Sequence, residues 1–340
     1  MRAEPRPRKR AGSPVTIHDV ANLAGVSIIT VSRALNTPHR VSPDTLARVK
    51  HAIAQTNYVP NLMAGGLRTS RSRLVVALVP TLSGQFFISA IQALTQALES
   101  NGYQLMLGQI GYYESREDQL IDAIVGRRPD GIVLTGIVHS AVTRRRLMSS
   151  GIPIVETWDY TPTPIDMLVG FSHERVGAEV CEFLVSRGRR RLAVISADDP
   201  RATMRQQSFS RTAVKLGMAS PHIEFVPAPA SHASGRLAIS NTLDRRPDLD
   251  AVFCSSDMLA MGVMTELRAR TIAVPESIAI VGFGDLDFSA TLAPALTTVR
   301  IDGAQLGRTA AQFIVESAQN KTVEQRVVDI GFSIVERKSA

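Results

Sequence analysis

The sequence predicts a small all-α headpiece followed by an α/β body of two parallel-sheet lobes. Three observations carry that expectation: basic charge gathered at the amino end, helical spacing over residues 16–60, and two successive runs of alternating strand and helix patterns from Leu74 onward. At 340 residues the chain is too long for one small core. Its 44% apolar and 20% charged content is ordinary for a globular protein. No apolar run approaches the ~20 residues a membrane span needs, so no membrane partner is expected. The Arg/Pro/Lys-rich opening lacks the apolar core of a secretory signal, which points to the cytoplasm. Cys181 and Cys254 cannot build a disulfide framework and read as ordinary buried residues.

Charge is the first specific signal. Residues 1–73 hold twelve Lys/Arg (2, 6, 8, 9, 10, 33, 40, 48, 50, 68, 71, 73) against the acids 4, 19 and 44, a net of +9 within an overall +7. The rest of the chain is therefore close to neutral. A basic end on a neutral body implies a polyanion held by one module alone.

Residues 1–14 contain no residue able to anchor a core and read as a disordered basic arm. Residues 15–60 form the headpiece. Thr16 with Asp19 three residues on is a helix N-cap pair leading into Ile17, Val20, Ala21 and Leu23. Gly25 breaks that helix, and Ser27 caps a second running through Leu35. Ser42-Pro43 opens a third, with Leu46, Val49, Ala52 and Ile53 at helical spacing, and Tyr58-Val59-Pro60 ends it. Ala21, Gly25 and Val31 supply a small residue at a helix crossing, a positive-φ turn and a buried valine. That spacing is a helix-turn-helix, whose second helix enters the DNA major groove.

Ile28, Ile29, Thr30, Ser32 and Arg33 then lie on or beside the exposed face of the second helix. The isoleucines suit thymine methyls, and Arg33 a base edge or phosphate. Thr16, Ser27, Thr30, Ser32 and Asn36 have short polar side chains suited either to phosphate contacts or to capping.

Val15 to Ser27 (VTIHDVANLAGVS), Thr30 to Asn36 (TVSRALN) and Asn57 to Asn61 (NYVPN) resemble the amino-terminal signature of the lactose/galactose repressor family, without a gap over about 45 residues. The resemblance implies a cytoplasmic transcription factor that binds palindromic double-stranded operator DNA as a homodimer. It also implies that residues 61–73 are a hinge whose leucine wedges into the minor groove, with Leu67 in that leucine's place and Ala64 the small contact before it. Gly65-Gly66 departs from the usual helix-forming pair, each glycine costing a helix about 1 kcal/mol. The hinge is thus expected to depend more on the operator for its folding; a plain flexible linker is the alternative.

The body begins with Leu74–Val79 as a buried strand, then a helix through Ile91, Leu94 and Leu98 and a turn at Asn101-Gly102. Tyr103–Leu107, Gly131–Leu134 and Pro153–Glu156 follow as strands, and the pattern repeats with Arg191–Ile195, Ile223–Phe225, Ala251–Cys254 and Ile278–Val281. Parallel strands need helical crossovers, so two such runs imply two parallel-sheet lobes, with a ligand between them beyond the strands' carboxyl ends. The family resemblance extends over residues 74–336 and implies a body like a periplasmic sugar-binding protein, crossed three times by the chain. Lobe one is then 74–168 with 297–326, and lobe two 169–296 with 327–340; Leu296–Ala318 returns to lobe one and Val327–Val335 to lobe two.

Loops after strands populate the crevice. Ser83, Gln85 and Phe86 follow the first strand, and Glu156 and Trp158 the fourth. Arg201 and Arg205, Ser256 and Asp257, and Asp285 and Asp287 follow strands of lobe two. A guanidinium pairs with a carboxylate, while acids chelate sugar hydroxyls. Trp158 either stacks on a sugar face or packs as core. By resemblance, Arg205 falls where family members have the arginine that grips the effector. Where many relatives have an acid after the last strand's aromatic, this chain has Gly284, which moves the acidic role to Asp285 or Asp287. Gly102–Gly108, Tyr112-Tyr113 and Asp166–Phe171 are similar to the gluconate-utilisation repressor subgroup, so gluconate or a close sugar acid is the expected effector.

The alternatives are a carbohydrate-modifying enzyme or a solute-binding protein with the same body. No Gly-x-Ser-x-Gly elbow or phosphate loop supports catalysis, and Gly282-Phe-Gly284 lacks the third glycine of a nucleotide fingerprint. Asp198-Asp199 has no histidine or cysteine nearby to build a metal site. No cofactor is expected. No leucine heptad follows Val335, so a dimer is expected over a tetramer. Release from the operator by ligand is the expected response, with corepression as the alternative.

Overall fold

The computed structural model describes residues 15–59, 72–82, 86–111 and 117–340. The basic arm, most of the hinge with Ala64 and Leu67, Ser83, Gln85 and Tyr112-Tyr113 lie outside the described residues. The chain forms two compact units, 1–70 and 71–340.

In the first unit, α1 (Ile17–Ala24), α2 (Ile28–Asn36) and α3 (Pro43–Thr56) enclose a core of Val20, Ala21, Ala24, Val31, Ala34, Val49 and Ala52. Gly25 ends α1 in the left-handed region at φ 64°, where a side chain would be strained, and its turn admits α2. Arg48 of α3 donates to the Ala24 carbonyl at 3.3 Å and satisfies the end of α1.

Among its described residues the second unit has two six-stranded sheets. The first runs in the order β11-β5-β4-β3-β1-β2, built from β1 (Leu74–Val79), β2 (Gln104–Gln109), β3 (Gly131–Thr135), β4 (Ile154–Thr157), β5 (Met167–Gly170) and β11 (Val327–Asp329). The second runs β12-β10-β9-β8-β6-β7, with β6 (Leu192–Ala197), β7 (His222–Val226), β8 (Ala251–Cys254), β9 (Ala279–Phe283), β10 (Thr297–Arg300) and β12 (Ser333–Val335). All pairings are parallel except β10 with β12. Helices flank the sheets: α4 (Ile88–Ser100), α5 (Glu117–Val125), α6 (Ala141–Ser150) and α11 (Gly303–Ala318) on the first; α7 (His173–Ser186), α8 (Pro200–Lys215), α9 (His232–Arg245) and α10 (Asp257–Ala269) on the second. Central strands such as β3 and β8 are buried at every residue, because helices cover both faces. The edge strand β2 is largely exposed.

The chain crosses between lobes three times, but later than the family resemblance implies. Residues 167–170 form β5 of the first sheet, so the first crossing is at Phe171-Ser172 rather than 168/169. Leu296 does not begin a return: β10 pairs with β9 in the second sheet, and only α11 rejoins the first lobe. Val327–Asp329 stays in the first lobe as β11, paired with β5, and the last crossing falls at 330–332. These strands are three or four residues long, too short for their apolar alternation to declare a lobe.

Among the described residues no helix is long and apolar enough to cross a membrane, and no cluster of His, Cys, Asp or Glu is placed to hold a metal ion.

Candidate nucleic-acid interface and ligand cavity

On the headpiece, Asp19 Oδ2 accepts from both the backbone N–H and the hydroxyl of Thr16, each at 2.8 Å. Ser27 Oγ accepts the Thr30 N–H at 3.2 Å and lies 2.9 Å from the Thr30 hydroxyl. Asn36 Nδ2 donates to the Ser32 carbonyl at 2.9 Å. These short polar side chains therefore serve the helix ends whatever else they touch. Beside them Ile29 is 62% exposed and Ile28 37%, although Val31 and Ala34 of the same helix are buried. Arg33 is exposed on this surface. The result is an apolar and cationic helix face that the headpiece core does not use.

In the body, a cavity of about 160 Å³ opens between the lobes, beyond the carboxyl ends of the strands. Phe86 and Phe87 at the start of α4 and Trp158 after β4 line one side. Arg201 and Arg205 of α8, Ser256 before α10 and Phe283 at the end of β9 line the other. The aromatic wall is continuous across the lobes: Phe86 lies 4.5 Å from Trp158 and 5.2 Å from Phe283, centroid to centroid. Trp158 both packs in this cluster and faces the cavity. It sits at φ 63°, a conformation costly for a bulky side chain and found where the surrounding structure imposes it.

Arg205 is 4% exposed. Its Nη1 donates to His173 Nδ1 at 2.9 Å, its Nη2 to the Ser255 carbonyl at 3.1 Å, and its guanidinium lies 3.9 Å above the Phe283 ring. Among the described residues its Nε has no hydrogen-bond partner. Burial foremost lowers its pKa to about 10, so it stays cationic at neutral pH. Arg201 reaches from the second lobe to the first, with its guanidinium 5.8 Å over the Phe87 ring. The carboxylate of Asp199 caps α8 through the N–H groups of Arg201 and Ala202, each at 3.1 Å.

A smaller cavity of about 80 Å³ adjoins, with Pro80, Thr135, Gly136, Asp159 and Arg201 on its walls. Asp159 is buried; its Oδ1 accepts the Tyr160 N–H at 2.8 Å, and among the described residues its Oδ2 has no hydrogen-bond partner. Burial raises its pKa to about 6 against the pull of Arg201 and Arg205.

Of the residues predicted for the crevice, Phe86, Trp158, Arg201, Arg205 and Ser256 meet at the larger cavity; Ser83 and Gln85 are outside the described residues. Four predicted acids are placed elsewhere. Glu156 accepts the Ile165 N–H at 2.6 Å and lies 3.4 Å from His139 Nε2, without a directed hydrogen bond to it. A regular strand would put Glu156 and Trp158 on one face, but the turn in φ at Trp158 separates them. Asp257 is buried and accepts from Leu286 N–H at 2.8 Å, Ser289 Oγ at 2.7 Å and Thr298 Oγ1 at 2.5 Å. Asp285 is held by Arg300 at 2.5 Å and Arg337 at 2.6 Å. Asp287 is exposed and off the cavity wall. Sequence reasoning missed His173, Asp159, Asp199 and Phe283. Asp159 lies two residues beyond β4 and Phe283 ends β9, both beside residues that were named, so position at the end of a strand was the signal available for them.

Comparison with known proteins matches residues 16–61 to the bacterial regulatory proteins of the lacI family and residues 181–340 to a periplasmic binding protein-like domain. The chain is 35% identical over 333 residues to the HTH-type transcriptional regulator GntR of Pseudomonas aeruginosa, covering 97% of each. It is 31% identical over 322 residues to the regulator IdnR of Escherichia coli, covering 94% of this chain and 97% of that one. Among solved structures, a LacI-family transcriptional regulator from Silicibacter pomeroyi superposes with a TM-score of 0.90 at 31% identity, covering 96% of this chain and 99% of that one.

Proposed function

The chain belongs to the lacI family of bacterial regulatory proteins, and from that premise we propose that this DNA-binding regulator, which is not an enzyme, represses sugar-acid utilisation genes in the cytoplasm. A homodimer holds a palindromic operator through Ile28, Ile29, Thr30, Ser32 and Arg33 at bases and phosphates. Thr16, Ser27 and Asn36 contact the backbone, and Ala64 and Leu67 enter the minor groove. The exposure of Ile29 beside Arg33 supports that reading, since a solvated helix face has no use for a large apolar side chain there.

One observation carries the effector class: two arginines converge on an aromatic cavity whose one lining carboxylate among the described residues, Asp199, is taken up in capping α8. Such a site favours a monoanionic polyol over a neutral sugar, because a carboxylate neutralises cations that otherwise face each other. Arg201 is the freer of the two: no hydrogen bond or ion pair holds its guanidinium among the described residues, whereas His173 and Ser255 occupy Arg205. D-gluconate is the proposed ligand, in line with the resemblance of residues 102–108 and 166–171 to gluconate-utilisation repressors. Release from DNA requires gluconate to bind the low-affinity conformer better, and operator DNA then weakens gluconate binding by the same factor.

The test is calorimetry with D-gluconate, ribose and a purine, with a gel shift on the DNA upstream of the chain's own gene. Gluconate is expected to bind and to release the DNA, and operator affinity to fall steeply with salt. Binding of ribose or purine with gluconate inert overturns the effector assignment. Failure to retard any inverted repeat at low salt overturns the operator assignment.

A further inference from the structure

His173 is the first residue of α7, directly after the chain leaves the first lobe at Phe171-Ser172. It is 3% exposed, and each ring nitrogen meets a different lobe. Nε2 lies 2.9 Å from the Trp158 carbonyl, which can only accept, so Nε2 carries the proton. Nδ1 is then a lone pair, and it accepts from Arg205 Nη1 at 2.9 Å. Burial first, then the Arg205 and Arg201 charges, hold the imidazole neutral, as that tautomer requires. His173 borders the cavity, yet has no polar atom left to offer a ligand.

Both ends of this chain of contacts are anchored. Trp158 is held at φ 63° among Phe86, Phe87 and Phe171. Arg205 is held by the Ser255 carbonyl and stacked on Phe283. A hydrogen bond keeps its strength over only a few tenths of an ångström and a limited angle. Movement of Trp158 relative to the second lobe must therefore turn the guanidinium or break one of the two bonds.

We propose that His173 is a positioning residue that ties the orientation of Arg205 in the second lobe to the end of β4 in the first, so that effector affinity and lobe position are set together. This rests on the reading of the cavity as the effector site.

Trp158 is the only tryptophan in the chain, so its emission reports the junction without any ligand. In the full-length protein, Arg205→Met is expected to shift that emission when His173 is present. The same substitution is expected to leave it unchanged on a His173→Asn or His173→Leu background, where the bond to the Trp158 carbonyl is lost. An equal shift in all three backgrounds overturns the proposal. In the second arm, His173→Asn keeps an acceptor for Arg205 but cannot reach Trp158. D-gluconate affinity by calorimetry is expected to stay within threefold while gluconate-driven release of operator DNA weakens tenfold or more. Parallel loss of both, or retention of both, marks His173 as packing and overturns the proposal. If gluconate does not bind the unsubstituted chain, the effector assignment fails and the emission arm alone decides the role of His173.

Discussion

Gly177 and Arg205 meet backbone to backbone: a Cβ on Gly177 would stand 2.1 Å from the Arg205 carbonyl oxygen. The approach of α7 to α8 thus depends on a missing side chain, and it sets the height at which the Arg205 guanidinium enters the cavity. Gly177→Ala forces apart backbone that no rotamer change can relieve. We expect a loss of about 1–3 kcal/mol in stability by urea unfolding, the usual cost of overpacking. A loss under about 0.5 kcal/mol would show that the helices separate freely.

Asp257 joins three segments of the second lobe: α10, the loop after β9 and β10. Every partner donates to it, from Leu286 N–H, Ser289 Oγ and Thr298 Oγ1. An amide accepts at one atom only, so in Asp257→Asn the amide nitrogen faces the Thr298 hydroxyl, which can turn to accept from it but then leaves its own buried O–H without the acceptor it had. The expected cost is about 1–3 kcal/mol, the desolvation of an unsatisfied polar group. Gluconate affinity measured on the folded fraction should change far less than with Arg201→Ala. The reverse order would return Asp257 to the ligand site.

These two cases mark where the sequence was legible. Thr16, Ser27 and Gly25 act locally, within three or four residues, so headpiece caps and turn could be read directly from spacing. The strand cores likewise announce themselves as unbroken apolar runs. The acids were misplaced because an acid after a strand looks alike whether it faces a ligand or a distant arginine. Asp285 meets Arg300 and Arg337, fifteen and fifty-two residues on, and Asp257 meets Thr298, forty-one away. Nor does spacing reveal a positive φ at a tryptophan, which is what parts Glu156 from the cavity.

Ile29 lets stability and recognition be separated. It is 62% exposed, so Ile29→Gln removes little buried area and should leave thermal unfolding within about 0.5 kcal/mol. Operator preference, read by selection from a randomised half-site, should nevertheless change at the position that Ile29 contacts. Uniformly weaker binding with unchanged preference would assign Ile29 to general contact and remove it from base reading.

His139 supplies a pH signature for the first lobe. Its side chain is 2% exposed between Glu117, 2.8 Å from Nδ1, and Glu156, 3.4 Å from Nε2. Burial lowers its pKa, but the two carboxylates outweigh burial and raise it to about 9 from 6.5. A folded pKa above the unfolded one gives stabilisation that is complete below pH 6.5 and lost as pH rises through 9. The shift corresponds to a contribution on the order of 3 kcal/mol. Urea unfolding of the unsubstituted chain should therefore show stability declining between about pH 6.5 and pH 9.5, with that slope absent in His139→Gln. The substitution also leaves two buried carboxylates facing each other without a cation, so its deficit should be largest at the acid end of this window and shrink toward alkaline pH. Parallel curves for the two proteins would mean that His139 is neutral in the folded chain.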